Sequence, residues 1–200
     1  MSSAGTSISR PTWACDLRAD EDRGCRRKLG AVTDSFTVRP ARTSDVAAIK
    51  KLVAPLAEER ILMAKETVAY YESLQEFLIA ESAAGEVIGC GALHVMWEDL
   101  AEVRTLAASD AWRGKGVGHV LVESLLKQAE ALGVARVFCL TFEVDFFKRH
   151  GFEVMADQSA VDPQVYSELL RSHDEGVAEF LDLARVKPNT LGNTRMIKAL

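Results

Sequence analysis

The spacing of apolar residues changes twice along this chain, and the changes mark its elements. Phe36 to Arg39 reads as a short strand. Val46, Ile49, Leu52 and Val53 then recur at helical spacing, with Thr43-Ser44-Asp45 ahead of them as helix-start chemistry. Pro55 is expected to end or bend that helix. Glu66 to Gln75 reads as a second helix with Val68, Tyr71 and Leu74 to bury. Phe77-Leu78-Ile79-Ala80, the turn Ala83-Ala84-Gly85 and the run Val87 to Val95 read as a hairpin. Ala101 to Ala108 is the next strand, where strict alternation puts Glu102, Arg104 and Leu106 on one face. Val117 to Leu132 is a long helix with Val120, Leu121, Leu125, Ala129 and Leu132 at core spacing, stopped by Gly133. A strand over Ala135 to Thr141, a short helix from Asp145 to His150 closed by Gly151, and a strand at Phe152-Glu153-Val154 follow. Pro163 to Arg171 and Val177 to Leu183 read as helices, Lys187 to Asn193 as a loop, and Thr194 to Leu200 as a final strand. Met1 to about Asp34 has no period and reads as a disordered tail. The order predicts one mixed α/β domain over residues 35–200, hairpins first and strand–helix–strand units after.

Composition narrows the class. With 48% hydrophobic residues in 200, the chain can bury a full core. A net charge of −5 argues against general nucleic-acid binding but leaves room for a local cationic site. No stretch approaches a membrane span, and the N-terminus lacks the apolar run of a signal peptide. Cys90 and Cys139 sit in apolar runs as core residues, while Cys15 and Cys25 have no partners at zinc spacing, so no metal is expected. The cysteines read as reduced and the protein as cytoplasmic.

One stretch carries distinct chemistry. After the strand ending at Ala108, Arg113-Gly114-Lys115-Gly116-Val117-Gly118 opens the long helix. A helix start offers unpaired amides and the positive end of the macrodipole, glycines let a ligand approach the backbone, and Arg113 and Lys115 add charge. The pattern suits a phosphate or pyrophosphate. It is neither Gly-x-x-x-x-Gly-Lys-Ser/Thr nor Gly-x-Gly-x-x-Gly, but Arg-x-x-Gly-x-Gly.

That signature, followed at this spacing by His150-Gly151-Phe152, resembles the GNAT family of N-acetyltransferases from about Phe36 to Leu200. The resemblance implies a mostly antiparallel sheet flanked by helices, in which the strand before the glycine turn carries a bulge and splays from its neighbour at an acetyl-CoA site. It implies that Arg113 to Gly118 hold the pyrophosphate, that Leu106 and Ala107 border the acyl arm, and that Phe147 and Lys148 lie near the coenzyme. Val87 to Leu93, Ala101 to Arg104, Val137 to Thr141 and Phe146 to Phe152 resemble the acetyltransferase domain of N-acetylglutamate synthases. Val186 to Met196 looks like their short single-domain form, in which no arginine-binding kinase-like domain is present.

The implied reaction is attack of the glutamate α-amine on the acetyl thioester, with acetyl-CoA as co-substrate. The amine must lose a proton, and Glu102 matches the catalytic Glu of larger synthases; its other reading is a solvated residue at a strand start. An amide near Leu106 or Ala107 would stabilise the oxyanion. The position four residues before Gly151, where many members carry a Tyr acid, holds Phe147. Thr141 matches a Ser assigned to that step. Two carboxylates on the substrate call for cationic anchors: Arg104 first, or alternatively an internal ion pair with Glu102, then Lys65, Arg195, Lys187 and Asn193. His94 could line the acceptor pocket, and His119 reads as a helix-surface residue. Glutamine, another small amine or a protein N-terminus remain as acceptors, and a CoA-binding regulator without chemistry as another class. The family often forms homodimers.

Overall fold

The computed structural model describes residues 35–155, 162–181 and 192–200. The expected N-terminal tail and Lys187 lie outside the described residues. Seven strands, β1 (Phe36–Pro40), β2 (Phe77–Ser82), β3 (Val87–Trp97), β4 (Leu100–Ala108), β5 (Arg136–Thr141), β6 (Glu153–Val154) and β7 (Thr194–Ala199), form one sheet in the order β1-β2-β3-β4-β5-β7-β6. Among the described strands only β4 and β5 run parallel, because the chain between them crosses over through a helix. The other pairs are antiparallel.

Among the described residues six helices cover the sheet: α1 (Val46–Glu58), α2 (Thr67–Glu72), α3 (Val117–Ala131), α4 (Val144–Lys148), α5 (Pro163–Leu169) and α6 (Glu175–Phe180). The face carrying Leu93, Ala101, Val103, Val137 and Cys139 packs on α3 and α4 through Val122, Leu125, Ala129 and Phe147. On the other face α1 and α2 bury Val46, Ile49, Val53 and Tyr70 against Phe77, Ile79, Cys90 and Ala92. The same face meets α5 and α6 where Leu169, Val177 and Leu181 pack on Met96, Leu100 and Phe138. Glu102 and Arg104 therefore emerge between two helical pairs.

Several sequence expectations shift. Pro55 lies inside α1 rather than ending it, and the helix runs on to Glu58. The second helix is shorter than expected and turns a different face inward. Tyr70 is buried against Phe77, whereas Val68 and Tyr71 are 58% and 49% exposed. Six residues make too few turns for periodicity to fix a buried face. In α3 the same ambiguity exposes Val120 and Leu132, while Val117, Val122 and Leu126 are buried alongside the predicted positions. The helix expected from Val177 begins two residues earlier, at Glu175.

The largest departure is in β4. Ala92 pairs with Arg104 but Cys90 pairs with Ala107, so one extra residue enters β4. Thr105 absorbs it at φ +55°, a left-handed conformation that costs a β-branched residue about 1–2 kcal/mol. Alternation inverts across the bulge. Leu106, expected on the face of Glu102 and Arg104, packs instead on the α3 side, and Ala107 joins the α1 side.

Close approach of α3 to β3 depends on Gly89. A Cβ there would lie 2.7 Å from Val117 Cγ1 and 3.2 Å from the Ala107 carbonyl oxygen, and neither a stiff β-branched side chain nor backbone gives way cheaply. Gly89→Ala is expected to lower stability by about 1–3 kcal/mol, measured by urea unfolding, and to weaken coenzyme binding, since Val117 belongs to the turn.

Candidate active site

The glycine turn forms as the pattern required. Trp112 N–H donates to the Ser109 carbonyl and Lys115 N–H to the Trp112 carbonyl, carrying the chain through a 3-10 turn at Asp110–Trp112. Gly114 and Gly116 adopt φ +76° and +83°, and Gly116 caps α3 in the left-handed conformation, which glycine reaches without steric cost. The first bond in this helix runs from Val120 N–H to the Gly116 carbonyl, so the amides of Val117, Gly118 and His119 open the helix ahead of it. A Cβ at Gly114 or Gly116 would meet nothing within 4 Å; this stretch of backbone is open to a ligand. Arg113 is exposed with Asp110 3.9 Å away, and Lys115 lies 4.8 Å over the Trp112 ring. An anionic pyrophosphate fits this donor set and charge.

Behind the turn the sheet opens. β4 and β5 pair only from Leu100 with Arg136 to Glu102 with Phe138. Beyond Glu102 the strands are unpaired to each other, so β4 presents a free edge over Arg104 to Ala108. Leu106 and Ala107 lie on that stretch. Phe147, expected beside the coenzyme, packs its ring into the core edge-on to Phe152. Phe146 is the ring beside the turn, 3.4 Å from where a Gly118 Cβ would sit. Lys148 is exposed at the end of α4. His119 is not simply on the helix surface: its Nδ1 lies 2.8 Å from His150 Nε2, and both rings pack on Phe146.

The acceptor side is a charge cluster on the opposite face. Arg104 is 9% exposed. Its Nη1 donates to both Asp174 oxygens at 3.0 and 2.9 Å, and its Nη2 donates to Glu76 Oε2 at 2.8 Å. Glu76 Oε1 is 2.8 Å from His94 Nδ1. Glu102 Oε2 is 3.9 Å from Arg104 Nη1, is fully buried and has no hydrogen-bond partner. It lines a cavity of about 60 Å³ with Met63, Lys65, Thr105, Leu140 and Asn193. Next to it a wider cavity of about 460 Å³ is lined by Lys65, Glu72, Glu76, His94, Arg104 and Asp174, among others.

These surroundings set the ionisation of the cluster. Burial pushes the Glu102 carboxyl up to about 7, and Arg104 only partly opposes it. Burial also pushes Glu76 and Asp174 upward, but hydrogen bonds and charge from His94 and Arg104 for the first, and Arg104 for the second, hold both below the usual carboxylate range. Burial lowers Lys65, and Arg104 adds to it. Two carboxylates thus face two cations, and Glu102 is the extra acid whose charge depends on what enters the cavity.

Of the residues expected in the acceptor site, Glu102, Arg104, Lys65 and Asn193 come together. Arg104 already gives its hydrogen bonds to Glu76 and Asp174, and the expected internal ion pair with Glu102 is present as a looser contact at 3.9 Å. Arg195 stands on β7 opposite Leu140. Thr141 ends β5 buried, with its hydroxyl oxygen accepting the Glu143 amide at 2.9 Å. Glu76 and Asp174 were not singled out from sequence. Asp174 had a readable signal, an Asp three residues ahead of an apolar run, which is N-cap chemistry; Glu76 had none.

Among the described residues, no group of three His, Cys, Asp or Glu is placed to hold a metal, and no helix is long and apolar enough to cross a membrane.

A sheet that splays beside a glycine turn at a helix start, with a buried carboxylate in the gap, defines an acyl-CoA-dependent transferase. The chain belongs to the acetyltransferase (GNAT) family, whose profile matches residues 47–152, and it is an acyltransferase with acetyl-CoA as co-substrate. It is 53% identical over 165 residues to an amino-acid acetyltransferase of Mycobacterium tuberculosis, covering 82% of this chain and 94% of that one. A solved M. tuberculosis structure in complex with CoA and NLQ superposes with a TM-score of 0.79 at 53% identity, covering 82% and 99% of the two chains. N-acetylglutamate synthase from Neisseria gonorrhoeae, complexed with coenzyme A and N-acetyl-glutamate, shares the fold with a TM-score of 0.68 at 23% identity. This chain spans 35% of its length.

The raised Glu102 has a consequence for stability. Between its ordinary value of 4.5 and about 7, the folded state holds a proton that the unfolded state has released, so this group's contribution to stability falls as pH rises through that window. Glu102→Gln is expected to remove that fall and to be more stable than the wild type above pH 7, read by thermal melts from pH 4 to 9.

Proposed function

We propose that the protein is an amino-acid N-acetyltransferase that moves acetyl from acetyl-CoA to the α-amine of L-glutamate, with Glu102 as general base. The observation that carries this reading is the Glu102 carboxyl at the end of the β4–β5 pairing, which is buried with an orphaned Oε2 and belongs to the wall of a cavity beside the splay. A buried carboxylate without a partner is costly, and an incoming ammonium supplies both the missing donor and the missing charge. The mycobacterial amino-acid acetyltransferase, similar over most of both chains, supports an amino acid as acceptor.

Acetyl-CoA, when bound, supplies the acyl group as a thioester. The acceptor amine arrives protonated and must shed that proton before its lone pair is available. A carboxyl near 7 is matched to this task, because it is partly ionised at neutral pH yet basic enough to accept a proton. Glu102 takes one proton directly or through one water, the nitrogen bonds to the carbonyl carbon, and the sulfur leaves with the electron pair of the broken C–S bond and takes up the second proton that the nitrogen sheds on becoming an amide, so that CoA departs as the thiol. An amide of the free β4 edge, at Leu106, is assigned the hydrogen bond to the carbonyl oxygen as it gains charge, since the Ala107 amide is turned toward Cys90 on β3. A thiol pKa near 8.5 makes thiolate a good leaving group, so Thr141 need only offer its hydroxyl hydrogen. Arg113 to Gly118 are assigned to the pyrophosphate, with Lys148 and Phe146 flanking.

For the acceptor carboxylates we assign Lys65 and Asn193 at the cavity wall, with Arg104 behind them. The wide cavity carries Glu66, Glu72, Glu76 and Asp174 against Lys65 and Arg104. That acidic wall favours, as a second reading, an acceptor with an uncharged side chain such as glutamine.

Steady-state assays with acetyl-CoA and a panel of amino acids test the reading. Glu102→Gln is expected to lower turnover by roughly 10²–10⁴-fold and to lose the acid limb near pH 7, with acetyl-CoA binding unchanged by calorimetry. Turnover that persists in the variant would remove Glu102 as the base. Lys65→Gln is expected to raise KM for glutamate about tenfold and for glutamine much less, since only the former loses an ion pair. Equal effects on both would move Lys65 out of the side-chain subsite.

A further inference from the structure

We propose that Asp174 is a positioning residue of the acceptor site: one carboxylate caps α6, grips Arg104, and so holds the Gly176 backbone over Glu102. This rests on the reading of Glu102 as the base.

Asp174 is placed to do three things at once. Its Oδ1 accepts the Gly176 amide at 2.8 Å and the Val177 amide at 3.1 Å, the bonds of an N-cap that satisfy otherwise orphaned donors of the first turn. Both its oxygens take Arg104 Nη1, 70 residues away in sequence. The resulting fixed backbone brings Gly176 so near the base that a Cβ there would lie 2.9 Å from Glu102 Oε2 and 3.4 Å from Arg104 Nη1. A six-residue helix has little stability of its own. Among the described side chains its anchors are Val177, Ala178 and Leu181, buried at this end of the sheet, and the Asp174 carboxylate.

The guanidinium is fixed from two sides. Asp174 takes Nη1 and Glu76 takes Nη2, and Glu76 is itself held by His94. The plane of Arg104 is thereby set with no rotational freedom left to relax onto Glu102. This explains how a cation 3.9 Å from a carboxylate leaves that carboxylate without a hydrogen bond. If Asp174 released it, Arg104 would be free to turn onto Glu102 and quench it as a base.

The groups facing Glu102 are Arg104 on its own strand, Asp174 from the α6 cap, Lys65 from the segment before α2 and His94 from β3, while the Cys139 thiol of β5 lies close by on the other face of the sheet. Of these, the charge of Asp174 raises the Glu102 carboxyl, while Arg104, Lys65 and His94 lower it. Removing that charge, freeing Arg104 and loosening the cover all act in one direction, toward a lower value.

Asp174→Asn separates positioning from folding, because Asn caps a helix as well as Asp does while losing the charge that grips Arg104. The variant is expected to keep the wild-type melting temperature within a few degrees and wild-type affinity for acetyl-CoA by calorimetry. The acid limb of kcat for the amino-acid acceptor is expected to move to lower pH, and the acceptor KM to rise roughly tenfold, about what one charge-assisted hydrogen bond is worth. Asp174→Ala, which also loses the cap, is expected to show the same pH displacement with a lower melting temperature. An acid limb that is present in the wild type and unmoved in Asp174→Asn, with KM unchanged, overturns the assignment of Asp174. An acid limb absent from the wild type overturns the base reading of Glu102, and this proposal falls with it.

Discussion

A threonine held at φ +55° in the middle of a strand is under strain, and the rest of the site depends on it. Thr105 takes up the extra residue in β4 and inverts the alternation of the strand. Upstream of it, Glu102 and Arg104 face the helices α1, α2, α5 and α6. Downstream, Leu106 drops into the α3 core and Ala107 crosses to the other face. The strand can thus serve an acceptor cavity at one end and anchor the glycine turn at the other. Cys90 helps to hold the distortion: its thiol lies 3.6 Å from the Thr105 carbonyl, and burial pushes it up to about 12, so it stays protonated and able to donate.

Separation of the strands follows from the same geometry. β4 and β5 pair for three residues and then part, because the bulged strand bends away from its parallel neighbour. A parallel ladder that continued to Thr141 would have closed the gap and satisfied the β4 edge. The unpaired edge instead lies between the glycine turn and Glu102. Donor and acceptor are thereby brought to opposite faces of one strand, with the reacting groups meeting at its edge.

Charge on the acceptor side is arranged so that one acid is left over. Arg104, nearly buried, with the half-buried Glu76 and Asp174 is a network in which every charge has a partner, as loss of solvent demands. Glu102 sits beside it without a hydrogen bond, and desolvation keeps its proton on until near neutrality. Replacing Arg104 would therefore do more than delete a substrate contact, since it would leave two carboxylates buried without their cation. The histidine pair beside the turn, His119 with His150, belongs to the packing of α3 on α4 through Phe146.

Much of this was legible in the chain itself. The strand and helix order, the hairpin, the glycine turn and its ligand class followed from local patterns, because turns and helix starts are set by the residues within them. The placement of Glu102 and Arg104 on a common face also followed, since they lie two apart before the bulge. Other features had no local signal. The residues alone give no sign of the bulge, because a threonine does not announce left-handed backbone and the cross-strand register imposes it; only the family resemblance implies a bulge in this strand. Tyr70 rather than Tyr71 is buried because packing against Phe77, not a two-turn period, decides the face of α2. Phe146 rather than Phe147 meets the turn for a similar reason. The partners of Arg104 come from Glu76 and Asp174, 28 and 70 residues away, a distance that only folding closes. Sequence determined which groups the protein has for binding and proton transfer; tertiary structure decided which of them touch, because burial and pairing of charge are properties of the packed chain.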